Sequence, residues 1–246
     1  MIRVGVGGWT YEPWRGSFYP PKLPHAKEIE HATRALTAIE INGTYYRRQT
    51  HKTFESWRKA APDGFVYTVK ASRFCTNRKN LADNEEGMRN FFDQGLVELG
   101  DKLGPILWQL MGPKQFDPDE IRAFFAMLPK EWGGVQLRHA FEPRHESFRN
   151  PEFFALARQA DVVVVYAEAD DYPNFPDQTG PFTYARFQQC REETQTGYSP
   201  EDLDRIAGQA QEWAKGGRDV FAFFIAGAKV RAPAAAMALI ERVGRP

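Results

Sequence analysis

The chain has 246 residues, 42% of them hydrophobic, enough to bury a substantial core without disulfides or a structural metal. Its 32 basic and 32 acidic side chains cancel, so no global field recruits nucleic acid or an anionic membrane. Cys75 and Cys190 stand far apart with no CxxC or Cys/His spacing, which excludes a disulfide framework and a structural zinc site and marks both as buried small hydrophobes.

The opening stretch, Met1-Ile2-Arg3-Val4-Gly5-Val6, is too short and Gly-rich for a signal peptide, and no apolar run approaches ~18 residues. A cytoplasmic location with no membrane partner is therefore expected. Short β-rich runs then alternate with amphipathic stretches through to the end, the rhythm of a parallel sheet wrapped by helices. Strands are predicted over residues 2–7, 37–42, 66–70, 106–110, 137–142, 162–167, 182–187 and 220–225. Several are near-continuous apolar runs, as strands buried on both faces require.

Between them, Met88, Phe91, Phe92, Leu96 and Leu99 recur at helical spacing, as do Leu203, Ile206, Ala207, Ala210 and Trp213. Asp117-Pro118, Asn150-Pro151 and Ser199-Pro200 each put a capping side chain before a proline at the first helical position, and so mark helix starts. Residues 168–181 hold prolines, aspartates and a glycine with no helical period, so one outer helix should be missing. Eight strands in one domain over residues 1–246 predict an α/β fold, a single and slightly irregular (β/α)8 TIM barrel whose chemistry sits at the C-terminal strand ends. An open doubly wound sheet is the alternative, but Gly5, Gly7 and Gly8 fail the dinucleotide fingerprint because Thr10 occupies the third glycine position. No cofactor is expected.

The strand ends carry the candidate site. After the first strand, Trp9, Tyr11, Trp14, Phe18 and Tyr19 crowd eleven residues around Arg15, either as a satellite core under a loop or as a stacking wall with a planar cation beside it. Glu40 and Asn42 share one face of the second strand, and a carboxylate inside an apolar strand needs a partner or a ligand. Lys70 ends the third strand, where burial would depress its pKa or pair it with Glu40 or Glu142. Gln109 is the one polar residue of the fourth strand. The fifth ends in Glu142-Pro143-Arg144-His145, an acid, a guanidinium and an imidazole within four residues, although His145 could equally cap the next turn. Arg186 follows on the seventh strand, and Lys229 and Arg231 lie before the last helix, a place where barrels often bind phosphate.

These motifs, in this order, resemble the YecE-like family, domain of unknown function 72. Gly7-Gly8-Trp9-Thr10-Tyr11 with Trp14-Arg15-Gly16 and Phe18-Tyr19-Pro20 match it. So do Glu40-Ile41-Asn42 with Thr44-Tyr45-Tyr46, Val69-Lys70-Ala71, the run Leu103-Gly104-Pro105-Ile106-Leu107-Trp108-Gln109-Leu110, and Glu142-Pro143-Arg144-His145 with Ser147-Phe148. The resemblance covers nearly the whole chain and implies a TIM barrel, with no reaction to carry over. The recurrent polar positions it implies fall on Trp9, Tyr11, Trp14, Arg15, Glu40, Asn42, Lys70, Gln109, Glu142, Arg144, His145 and Arg186. Two departures stand out: Asn77 replaces an expected histidine, and Ile225-Ala226-Gly227 with Arg231-Ala232-Pro233 replaces an Asn-rich stretch and a His-Ala-Pro.

The leading functional expectation is an enzyme acting on a small polar anion, a sugar phosphate or nucleotide fragment. Arg15, Lys70, Arg144 and Arg186 would hold the anion, Glu142 and His145 would exchange protons, and Trp9 and Trp14 would stack. A glycosidase-like pair, Glu40 with Glu142, is a variant of that expectation. The alternative from another class is a non-catalytic or degenerate barrel that binds a ligand, or single-stranded nucleic acid, which zero net charge disfavours. A further alternative is a Mg²⁺- or Mn²⁺-dependent hydrolase or isomerase using Glu40, Glu142 and Glu168 or His145, against which Lys70 and Arg144 would compete.

Overall fold

A computed structural model describes residues 1–246. Strands β1 (Ile2–Gly7), β2 (Ala38–Ile41), β3 (Val66–Lys70) and β4 (Leu103–Gln109) are followed by a two-residue hairpin, β5 (Glu131–Trp132) and β6 (Val135–Gln136). Then come β7 (His139–Glu142), β8 (Val162–Val164), β9 (Tyr166–Glu168), β10 (Phe182–Phe187) and β11 (Asp219–Phe224). The helices are α1 (His25–Ala35), α2 (Gly43–Tyr46), α3 (His51–Ala60), α4 (Arg73–Thr76), α5 (Glu85–Phe92), α6 (Pro118–Ala126), α7 (Pro151–Gln159), α8 (Pro200–Trp213) and α9 (Ala232–Val243).

Nine parallel strands form one sheet in the order β8-β7-β4-β3-β2-β1-β11-β10-β9. Its two ends, β8 and β9, are consecutive pieces of chain, so the sheet curls into a nearly closed TIM-type barrel. The expected sixth strand is thus broken at Val165: β8 pairs with β7, and the Val165 N–H still donates to the Phe141 carbonyl, whereas Tyr166 onward pairs with β10. Gly5 lets β1 and β2 come close, since a Cβ there would run into the Ala38 carbonyl oxygen.

Two apolar regions follow from the alternation of side chains along the strands. Ala38, Val66, Leu107, Ala140, Val163, Tyr184, Phe221 and Phe223 fill the barrel, while the opposite faces pack with the helices into a larger outer core. The outer helices begin as expected: Asp117, Asn150 and Ser199 each accept backbone N–H bonds at the starts of α6, α7 and α8. The run from Met88 to Leu99 is one correction. It is not one helix, because α5 ends at Phe92 and Gly95, at φ 101°, turns the chain into a 3-10 segment, Leu96–Lys102. No helix forms across residues 169–181. Cys75 and Cys190 are buried free thiols, both pushed up to about 12 by burial. No helix is long and apolar enough to cross a membrane.

His139, on β7, is buried in the outer core, where its Nδ1 accepts from the Trp108 indole at 3.1 Å and its Nε2–H donates to the Pro129 carbonyl at 2.8 Å. Burial pulls its pKa down to about 4, with the Pro129 bond acting in the opposite sense. A histidine depressed on folding contributes stability above its unfolded value, near 6.5, and that contribution is lost as pH falls toward 4. The expected loss is about 3 kcal/mol between those values. Urea unfolding at stepped pH checks it, and a flat midpoint from pH 7 to 4 would contradict the buried neutral imidazole.

Candidate functional site

The alternation that fills the barrel with apolar side chains turns polar in its last layer. Two residues beyond Ala38, Thr68, Leu107, Ala140 and Tyr184 stand Glu40, Lys70, Gln109, Glu142 and Arg186, so period-2 geometry points all five inward at the C-terminal end.

Arg186 is the hub. Its Nε and Nη2 donate to Glu40 Oε2 and Oε1, each at 3.0 Å, and its Nη1 donates to Glu142 Oε2 at 2.6 Å. All three groups are essentially inaccessible to water. Three more donors reach the same carboxylates. Tyr184 donates its hydroxyl to Glu40 at 2.8 Å, Gln109 Nε2 donates to Glu142 at 3.0 Å, and Arg144 Nε donates to Glu142 Oε1 at 2.8 Å. Burial alone would raise the Glu142 carboxyl, but Arg186, Arg144, Gln109 and Lys70 override it and hold it near 2.

This corrects the acid/base assignment for the two glutamates. Glu142, held near 2, exchanges no proton near neutrality, Glu40 is tied through both oxygens to Arg186, and a Glu40/Glu142 glycosidase pair fails because Arg186 occupies the space between the carboxyls. His145 is corrected as well. Its Nδ1 lies 2.9 Å from the Ser147 hydroxyl and accepts from the Ser147 N–H, capping the 3-10 turn Glu146–Phe148. The carboxylate metal centre also fails, since Glu168 is paired with Arg205 and no three acidic, cysteine or histidine side chains converge.

The aromatic run after β1 divides. Trp14 is fully buried, its indole N–H donates to the Lys229 carbonyl at 2.9 Å, and its ring meets Tyr11, Phe18 and Tyr19 edge-on, so it is core and not a stacking face. Arg15 turns outward to Glu28 of α1 at 2.9 Å and leaves the anion-holding group. Trp9, half-buried, packs against Trp57 and Tyr67. Tyr11 lies beneath the Lys229 ammonium, 4.8 Å from its ring centre. Asn42 Nδ2 donates to the Glu40 carbonyl at 3.3 Å.

What remains with unpaired donors is cationic. Lys70 Nζ makes no hydrogen bond or ion pair and sits 4.3 Å from the centre of the Tyr45 ring. Burial pulls its pKa down to about 8, Arg186 and Arg144 push the same way, and Glu40 and Glu142 oppose them. Arg144 uses only its Nε on Glu142, while its guanidinium lies 4.3 Å from the Tyr172 ring centre. Lys229 is depressed by burial and opposed by Glu40. Four cations against two carboxylates leave the mouth a surplus of two positive charges.

Sequence reasoning missed Tyr45, Tyr172 and Tyr184. Tyr184 carried a signal, standing two residues before Arg186 on the same strand face. Tyr172 had none, because it comes from the helix-free segment. Asn77, the apparent loss, donates to the Tyr45 hydroxyl at 3.0 Å and so fixes the ring under Lys70.

The model of a family described as "Protein of unknown function DUF72" matches residues 3–246. The UPF0759 protein YunF of Bacillus subtilis (strain 168) is 27% identical over 160 residues, covering 63% of this chain and about half, 54%, of that protein. A DUF72 family protein from Thermotoga maritima MSB8 superposes with a TM-score of 0.81 at 23% identity over 98% of both chains. A sugar phosphate isomerase/epimerase from Parabacteroides distasonis ATCC 8503 shares the fold with a TM-score of 0.53 at 11% identity, over 98% of this chain and 94% of that one.

Proposed function

This chain belongs to the DUF72 family, whose name carries no reaction, so we propose its function from the barrel mouth: it binds and acts on a small polar anion of the sugar phosphate type. One observation carries the reading. The carboxylates at the mouth each accept three hydrogen bonds, from Arg186, Tyr184, Gln109 and Arg144 Nε, while Lys70, Lys229 and the terminal nitrogens of Arg144 keep unpaired donors beside a two-charge positive surplus. Charge-assisted hydrogen bonds from such groups are the strong ones for phosphate and carboxylate. The fold is one that a sugar phosphate isomerase/epimerase also uses, which agrees with the substrate class without identifying it. The proton-exchanging role moves from Glu142 to Lys70, the mouth residue that titrates near neutrality.

Calorimetric titration with inorganic phosphate tests the reading. Binding is expected at pH 7, and Arg144→Met should weaken it roughly 10- to 100-fold by removing a charged hydrogen-bond donor. Lys70 is depressed in the folded protein, so its positive charge is present below about 8 and lost above. Affinity should therefore fall as pH rises through that value, and Lys70→Met should abolish the step. Phosphate binding that is absent at millimolar concentration, or indifferent to Arg144→Met, overturns the assignment.

A further inference from the structure

Two lysines of this barrel are withdrawn from water in opposite ways. Lys102 is buried and anchored, donating to the Arg58 carbonyl at 3.0 Å and the Ala61 carbonyl at 2.5 Å, as a structural ammonium must. Lys70 is partly buried and has no acceptor at all. Its backbone carbonyl is fixed by the Thr44 hydroxyl at 2.7 Å, and its ammonium rests on a tyrosine ring that Asn77 holds in place. Facing it are Arg186, Arg144, Glu40 and Glu142, and both acids are already committed to the arginines. A lysine desolvated next to other cations, without a carboxylate of its own, is the arrangement that turns an ammonium into an amine nucleophile.

We propose that Lys70 forms a Schiff base with a small carbonyl compound that carries a phosphate or carboxylate group. The inference rests on the anion-binding reading above and goes further by naming a carbonyl as the reacting group. Arg144 and Lys229 hold the anionic end, and the carbonyl carbon lies toward Nζ. The neutral amine adds its lone pair to that carbon, the carbonyl π pair moves to oxygen, and the oxygen takes the proton that the nitrogen gives up, leaving a neutral carbinolamine. A second proton, drawn from solvent at the mouth, lets that hydroxyl leave as water while the nitrogen lone pair closes the C=N bond, so the sum is amine, carbonyl and one proton giving iminium and water, with no electrons entering or leaving. Arg186 cannot take this part, because all its nitrogens are bound to carboxylates. Lys70 at about 8 holds on the order of a hundredfold more neutral amine at pH 7 than an ordinary lysine.

The test is reductive trapping of the full chain with sodium borohydride in the presence of dihydroxyacetone phosphate or pyruvate, read by intact mass and peptide mapping. Hydride adds to the imine carbon and leaves a stable secondary amine. A single major adduct on the peptide holding Lys70 is expected, reduced by excess inorganic phosphate and forming faster as pH rises toward 8. Lys70→Arg keeps a positive charge but offers no nucleophilic amine, so the adduct should be lost, and a circular dichroism spectrum matching the parent's guards against a variant that fails to fold. Phosphate binding with no adduct for either probe overturns the Schiff base and leaves the anion site standing. Loss of phosphate binding as well overturns both. Adducts spread evenly over surface lysines also overturn the proposal.

Discussion

Arg186→Met is expected to cost about 3–5 kcal/mol of folding stability, because it takes from Glu40 its one ion-pair partner and from Glu142 one of two, in a site closed to water. Domains of this kind are stabilised by about 5–15 kcal/mol in total, so the variant should unfold at a much lower urea concentration or accumulate as insoluble protein. The pair itself is weak evidence of stability, since burying three charged groups opposes the attraction between them. The cost arises when one charge is removed alone. Removing Arg186 together with the acid that makes no other ion pair, by Glu40→Gln with Arg186→Met, leaves the Glu142–Arg144 pair in place and should therefore recover much of the loss. Glu142→Gln alone removes one of the two carboxylate charges facing Arg186, and its single amide oxygen cannot replace both Oε1, which accepts from Arg144, and Oε2, which accepts from Gln109 and Arg186, so it should perturb folding and is a poor probe of chemistry. An unfolding free energy for Arg186→Met within ~0.5 kcal/mol of the parent's would contradict the hub.

Trp14→Ala is expected to cost about 3–5 kcal/mol, the range for emptying a buried aromatic site. The indole is surrounded by Tyr11, Phe18 and Tyr19, and its N–H holds the Lys229 carbonyl in the last loop of the barrel. The cavity would lie beneath the segment that presents Lys229, so phosphate affinity should fall along with the denaturation midpoint. Trp9→Ala, at a half-buried position, should cost less. A Trp14→Ala protein of unchanged stability that had lost only ligand binding would restore the stacking-wall reading.

Much of the barrel could be read from its strands because burial on both faces leaves them as apolar runs, and from its helix starts because capping side chains act within a few residues. The break at Val165 could not, since four consecutive valines carry no mark of where the chain changes partner. The break before Leu96 did have one: Gly95 in Asp93-Gln94-Gly95 is a helix stop with φ above zero. The mouth residues Glu40, Lys70, Gln109, Glu142 and Arg186 were legible through strand periodicity. Their roles were not, because the decisive bonds join residues up to 146 positions apart, and nothing local tells which acid meets which base. Loop residues were misjudged most. Arg15, His145 and Trp14 sit where chain direction after the strand, rather than residue type, decides what they touch.

The helix-free connection between β9 and β10 has a practical side. Its Tyr172 ring covers Arg144 and abuts Gly112, while farther along the Thr179 hydroxyl accepts from the Val164 N–H and donates to the Val162 carbonyl of β8. Exchanging the part around Tyr172 while keeping Thr179 would reshape one wall of the mouth without touching the strand register. Protein engineers seeking to change which molecule this barrel accepts would begin there, leaving the five inward strand-end residues in place as a fixed chassis.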